Sequence, residues 1–291
     1  MEQRRHRAAP LRWLWTTLPC LVWACTTPAP QGSTIEPLPQ ETLRAASPAQ
    51  KNVLALKKLR QAQGAVAENR PEDALALYHQ SLRLYEELGD KGAQAAVLSD
   101  LGLLHHEAGQ DPKAREELTR AVALAREAKE PKVLLEALYN LGLIQYAQGD
   151  DDATLVTMGE ALGLAREAKD GELEGLTLNA RGNAQRRSNR LAPALEDYKA
   201  AAVLWAGRKN PSYTSVAWMN VGYCHALRQE PTEAAAAFQQ ALDALEGAPK
   251  AVQAELRPHL EGMMRLVQAD PKRAKERVLE LMGRKPAPPQ P

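Results

Sequence analysis

From about residue 48 onward, apolar residues recur at steps of three and four, as in VLLEALYNLGLIQYA from Val133 to Ala147. That spacing places them along one face of a helix, and the two-residue alternation of a half-buried strand is nearly absent. The runs break at short polar stretches such as AGQD, QGDD and SNRL. Each break separates a first helix with a glycine near its centre from a second one ending in sequences such as ALAREAKE. The pattern predicts a chain of helical hairpins.

A helix interior is a poor place for glycine, which costs about 1 kcal/mol relative to alanine. Yet Gly102, Gly142, Gly182, Gly222 and Gly262 fall forty residues apart without a slip, with Ala62 one period earlier. Ala74, Ala114, Thr154, Ala194, Ala234 and Ala274 follow in the same register, then Tyr78, Leu118, Met158, Tyr198, Phe238 and Val278. A small set, Ser81, Ala121, Ala161, Ala201 and Ala241, completes each period. A lone hairpin cannot bury both apolar faces, so such units must stack, and a small residue at a crossing lets two helices approach closely. Burial of several leucines at ~1.5 to 3 kcal/mol each outweighs the lost propensity. All five glycines are therefore expected at helix crossings.

The segments LSDLGLLHHEAGQDPKAREELTRAV, LYNLGLIQYAQGDDDATLVTMGEAL and WMNVGYCHALRQEPTEAAAAFQQAL resemble the tetratricopeptide repeat. Trp218, Val221, Gly222, Ala234, Phe238 and Ala241 match its signature, as do Leu98, Leu101, Gly102, Gly109, Ala114 and Ala121. The resemblance implies an all-α, right-handed superhelical solenoid of about six antiparallel hairpins over residues 48–284. The repeats fall at about 48–90, 91–130, 131–170, 171–210, 211–250 and 251–284. A period of forty, against the usual ~34, points to a long-repeat subclass. His105, Gln145, Gln185 and His225 replace the family tyrosine, and Arg181 stands where a leucine precedes Gly182, which predicts looser packing in the fourth repeat. Lys58, Gln61 and Ala62 in the first repeat and Pro258 in the last mark capping units.

Composition fits this picture: aromatic residues make up 4%, with a single Phe. The formal net charge is +1, but Arg4, Arg5, Arg7 and Arg12 against Glu2 give the first 24 residues +3, which leaves the remainder at −2. So balanced a body offers no general field for nucleic acid. The basic start, the apolar run LRWLWTTLPCLVWA and Cys25 have the layout of an export signal over residues 1–24, too short to span a bilayer. VWAC resembles the lipobox of bacterial lipoproteins, which implies acylation of Cys25 and a lipid anchor in the membrane; ordinary cleavage after Ala24 is the alternative. Thr26 after it implies, by the enterobacterial sorting rule, an outer-membrane lipoprotein facing the periplasm. Residues 25–47, rich in Pro, Ser and Thr, read as an extended tether, and 285–291 as a Pro-rich tail. With only Cys25 and Cys224 left after processing, no disulfide framework is expected.

Chemistry is sparse. His105, His106 and Glu107 form the only dense titratable cluster, but consecutive helical residues diverge by about 100°, so the histidines cannot share a metal, and the register packs His105 inside. Cys224 beside His225 aligns with Leu104, Ile144 and Ala184, a buried apolar slot rather than a nucleophile. Nucleotide-binding and hydrolase motifs are missing. No enzyme, cofactor or metal site is expected.

Recognition remains. A second stripe on each first helix, spaced i, i+4, i+7, lines the concave face in this family. It comprises Ser99, Leu103 and His106; Tyr139, Leu143 and Tyr146; Asn179, Asn183, Arg186 and Arg187; Met219, Tyr223 and Leu227. These residues suit an extended or helical peptide with apolar anchors and an acidic group. Asn183 and Asn220 resemble the carboxylate clamp of the chaperone-binding subclass, but its lysines are missing. The expectation is a membrane-tethered protein-binding scaffold of a cell-envelope complex, pilus or secretion system, with a soluble periplasmic adaptor as the alternative.

Overall fold

The turns repeat as faithfully as the helices. The computed structural model describes residues 33, 35, 36, 38 and 46–283. Over these, Asn69, Gly109, Gly149, Asn189 and Gln229, forty apart, hold left-handed φ values from 57° to 83°. Gly89, Lys129, Lys169 and Lys209 do the same halfway between, with φ from 53° to 68°. One left-handed residue lets the last backbone N–H groups close on the helix end, as Gly109 N on His106 O (2.9 Å) and Gln110 N on His105 O (2.8 Å) show. The next helix then starts about twenty residues after the last, with Pro71, Pro131, Pro211 and Pro231 in its first turn, where no N–H is needed.

Twelve helices result among the described residues. They are α1 (Pro48–Ala67), α2 (Pro71–Leu88), α3 (Lys91–Glu107), α4 (Asp111–Ala128), α5 (Pro131–Ala147), α6 (Asp151–Glu167), α7 (Gly171–Arg187), α8 (Leu191–Gly207), α9 (Pro211–Leu227), α10 (Pro231–Leu245), α11 (Lys250–Ala269) and α12 (Pro271–Leu281). They pack in consecutive pairs. Packing divides the described chain into two compact units, through Asp170 and from Gly171. The expected leader 1–24, Cys25 and the tail 285–291 lie outside the described residues.

Four of the five glycines sit where the period placed them. A Cβ on Gly102 would meet Leu118 at 2.6 Å, on Gly142 Met158 at 2.6 Å, on Gly182 Tyr198 at 2.7 Å and on Gly222 Phe238 at 2.6 Å. In the unit through Asp170, polar rungs join successive first helices: Gln63 Nε2 donates to Asp100 Oδ2 (3.3 Å) and Asn140 Nδ2 to Ser99 Oγ (2.9 Å). Outside, Lys51–Glu87 and Lys91–Glu127 recur in one register, as do Glu86–Arg120 and Arg126–Glu160. Being exposed, each such pair contributes ~0 to 1 kcal/mol. The described part of the expected tether touches α2: Ser33 Oγ donates to Asp73 Oδ1 (3.0 Å), and Gln80 Nε2 to the Glu36 carbonyl (2.7 Å).

Two expectations are corrected. Arg181 does not loosen the fourth repeat, because its Nε and an Nη donate to both oxygens of buried Asp197, at 2.7 and 2.6 Å. Nor is Gly262 a crossing: nothing lies within 4 Å of its Cβ position. The turns explain this. In the left-handed register the last hairpin has Pro249, whose ring holds φ at −54°, and Ala269, the final residue of α11. Only Asp270, at φ −146°, separates α11 from α12. Without a left-handed residue the hairpin cannot close as the others do, and α12 packs against α9 as well as α11.

Candidate functional site

The first helices present their second stripe differently in the two units. In the unit through Asp170, Tyr139, Leu143 and Tyr146 on α5 are half-exposed, as are Leu103 and His106 on α3. Ser99 is buried and accepts from Asn140. The apolar and aromatic part of the predicted face is thus half-open to solvent here.

In the unit from Gly171 the same stripe is largely filled. Asn179 and Arg187 are half-exposed, but Asn183, Arg186, Met219, Tyr223 and Leu227 are buried, which corrects their expected role as partner contacts. Asn183 Oδ1 accepts from the Tyr198 hydroxyl (2.7 Å), and Arg186 Nε donates to that hydroxyl (3.3 Å). The Arg186 guanidinium lies 5.7 Å over the Tyr223 ring. Tyr223 is hydrogen-bonded to His259 of α11, edge-on at 6.0 Å between ring centroids, and packs edge-on against Phe238 at 5.8 Å. Burial holds the Tyr223 hydroxyl above its ordinary range and His259 below its own, with Arg277 of α12 adding to the latter. A protonated phenol facing a neutral imidazole follows. Ala274, Val278 and Leu281 of α12 join the same buried cluster as Met219, Tyr223 and Leu227. The displaced last helix therefore covers the stripe of α9.

The catalytic candidates part company. Cys224 is fully buried, and burial pushes its thiol up to about 12, far from a nucleophile's range. His106 turns its Nδ1 to Asp111 Oδ1 (2.5 Å), whereas buried His105 sets its Nε2 3.4 Å from Glu117 Oε1. Among the described residues no three His, Cys, Asp or Glu side chains are grouped to hold a metal. Burial first, then Glu116 nearby, raises the Glu117 carboxyl to about 7. A carboxyl raised on folding adds no penalty below its unfolded value of ~4.5 and its full penalty above about 7. Glu117→Gln is therefore expected to be more stable than the parent at pH 8, where imidazole is neutral folded or unfolded, with the difference gone by pH ~4.5. Urea melts at the two pH values check this; an equal difference at both refutes it.

The sequence reading missed three features of this region: the seat of α12, the His259 contact, and a close approach at Gly175. A Cβ there would meet the Trp205 indole at 2.6 Å, and that indole stacks on Tyr213 at 4.5 Å. The signal was present as volume exchange, since Leu135 with Ala165 one period earlier becomes Gly175 with Trp205.

Comparison with known proteins agrees with this geometry. Residues 55–127 and 179–249 match two models described as Tetratricopeptide repeat, and residues 133–179 match a model of Anaphase-promoting complex subunit 5. No curated protein sequence matches the chain. Among solved structures, the apo form of RapI is similar at 12% identity and TM-score 0.67, over 79% of this chain and 83% of that one. Aspartyl phosphate phosphatase F from Bacillus subtilis is similar at 12% identity and TM-score 0.64, over 84% and 63%. A Rap protein complexed with Competence and Sporulation Factor is similar at 12% identity and TM-score 0.56, over 84% and 72%. Paired helices, glycine crossings and matched models together identify residues 55–127 and 179–249 as tetratricopeptide repeats.

Proposed function

We propose that this chain is a non-enzymatic protein-binding scaffold, anchored by acyl chains on Cys25, that serves the assembly or operation of a cell-envelope complex such as a pilus or secretion system. The observation that carries the binding part is the half-exposed face of Tyr139, Leu143 and Tyr146 on a stacked repeat frame. A rigid frame that displays tyrosines needs little further ordering to hold a protein or peptide. The similar Rap protein was solved with Competence and Sporulation Factor bound, which agrees with use of this fold for capture. Likeness to a phosphatase at 12% identity lends no support to hydrolysis, and the buried Cys224 offers no nucleophile. The anchor rests on the sequence around Cys25 alone; no described helix is long and apolar enough to cross a membrane.

Fatty-acid labelling of cells tests the anchor. The parent should take up label and sediment with membranes, and Cys25→Ala should do neither; a Cys25→Ala chain that stays membrane-bound removes the anchor. The binding face is tested by capture from envelope extracts, in which Tyr139→Ala with Tyr146→Ala should lower partner yield at least tenfold. Undiminished capture by that double variant discards the face.

A further inference from the structure

The two units carry the same stripe, and in one of them its occupant is visible. Shifting by eighty residues superposes Tyr139, Leu143 and Tyr146 of α5 on Met219, Tyr223 and Ala226 of α9. On α9 all three are buried, at 2 to 4% exposure, while on α5 all three are half-exposed. Stacking of first helices alone does not close the stripe, since Leu103 and His106 of α3 stay half-exposed although α5 packs beside them. On α9 the Arg186 guanidinium of α7 lies over Tyr223, and the last hairpin adds His259 of α11 and the edge of α12 made by Ala274, Val278 and Leu281. Those three residues are spaced i, i+4, i+7 and are all buried. α12 also carries exposed Lys272, Arg273 and Arg277, with Arg273 paired to Glu276 and Glu280 and Arg277 to Glu280 within the helix.

We infer that the inner face of α3 and α5 takes one amphipathic helix from a partner protein, with apolar residues at i, i+4, i+7 and basic flanks, seated as α12 is seated on α9. This rests on the scaffold reading above and specifies its partner. The charge follows from the face itself. Exposed Glu107 lies one turn beyond Leu103, and exposed Glu136 lies three residues before Tyr139 and seven before Leu143, so both acids share the face with the apolar residues. Arg186, which suggested an acidic partner from sequence, is buried in the other unit and is not part of this face.

The probe is a fluorescein-labelled peptide of residues 270–283 of this chain, held helical by a lactam between Lys272 and Glu276, because so short a free helix is marginal in water. It is titrated by anisotropy into the full chain, whose own α12 already fills α9. Saturable binding is expected, weakened at least tenfold by Leu143→Asp or Tyr146→Glu in the protein and by Val278→Glu in the peptide, and weakened by salt. No binding overturns the inference, as does binding indifferent to Leu143→Asp and Tyr146→Glu, which places the peptide elsewhere. Val278→Glu in the peptide keeps the test valid if a protein variant misfolds. A peptide that fails while envelope capture still depends on Tyr139 and Tyr146 removes the helix and leaves the scaffold; loss of that dependence removes both.

Discussion

Gly222→Ala lowers the stability of the unit from Gly171, and Gly262→Ala raises it, although both glycines lie inside helices and in the same slot of the repeat. Alanine favours a helix interior by about 1 kcal/mol at either position. At Gly222 the new methyl meets three Phe238 ring carbons at 2.6 to 2.9 Å. That ring is fully buried and braced edge-on by Tyr223, itself hydrogen-bonded to His259, so it has nowhere to retreat. Overpacking of about 1 to 3 kcal/mol exceeds the propensity gain. At Gly262 the methyl meets nothing within 4 Å and the propensity gain stands alone. Thermal melts should separate the two variants by several degrees, with the parent between them. Adding Phe238→Leu should recover part of the Gly222→Ala loss, since Gly102 already receives Leu118. Two shifts of the same sign would contradict the displaced hairpin. Gly142→Ala should cost less than Gly222→Ala, because the atoms it meets belong to the flexible end of Met158.

Arg181→Val destabilises the same unit by about 3 kcal/mol, while Arg181→Val with Asp197→Ala restores it to within about 1 kcal/mol of the parent. The pair is bidentate and Asp197 is 5% exposed, so removing the arginine strands a carboxylate away from water. Removing both leaves the combination that the next repeat already uses, Val221 with Ala237, in a buried hydrophobic cluster. A double-mutant cycle in urea reads the coupling directly. Equal effects of the single and double changes would mean that the arginine acts through its packed stem and not its charge.

Much of this was legible because it is local and repeated. Helix and turn alternate on residues whose preferences are largely intrinsic: proline in first turns, glycine or asparagine at five of the nine left-handed turn positions, with Lys129, Lys169, Lys209 and Gln229 at the rest, and glycine where another helix's Leu, Met, Tyr or Phe must enter. Those preferences act within a few residues and recur every forty, so the register alone placed four glycines against their partners. The break was also written in the chain, as Pro249 and Ala269 in left-handed slots, although its consequence was not.

The sequence by itself determined the hairpins, their period, the crossing glycines and the buried, inert place of Cys224, since each depends on the spacing of residues along one or two helices. Only the tertiary structure decided which stretches of the second stripe meet solvent. Exposure is set by what lies opposite, and with a turn one residue long α12 divides its packing between α11 and α9. That contact buries Met219, Tyr223 and Leu227 while the matching residues of α5 stay half-open.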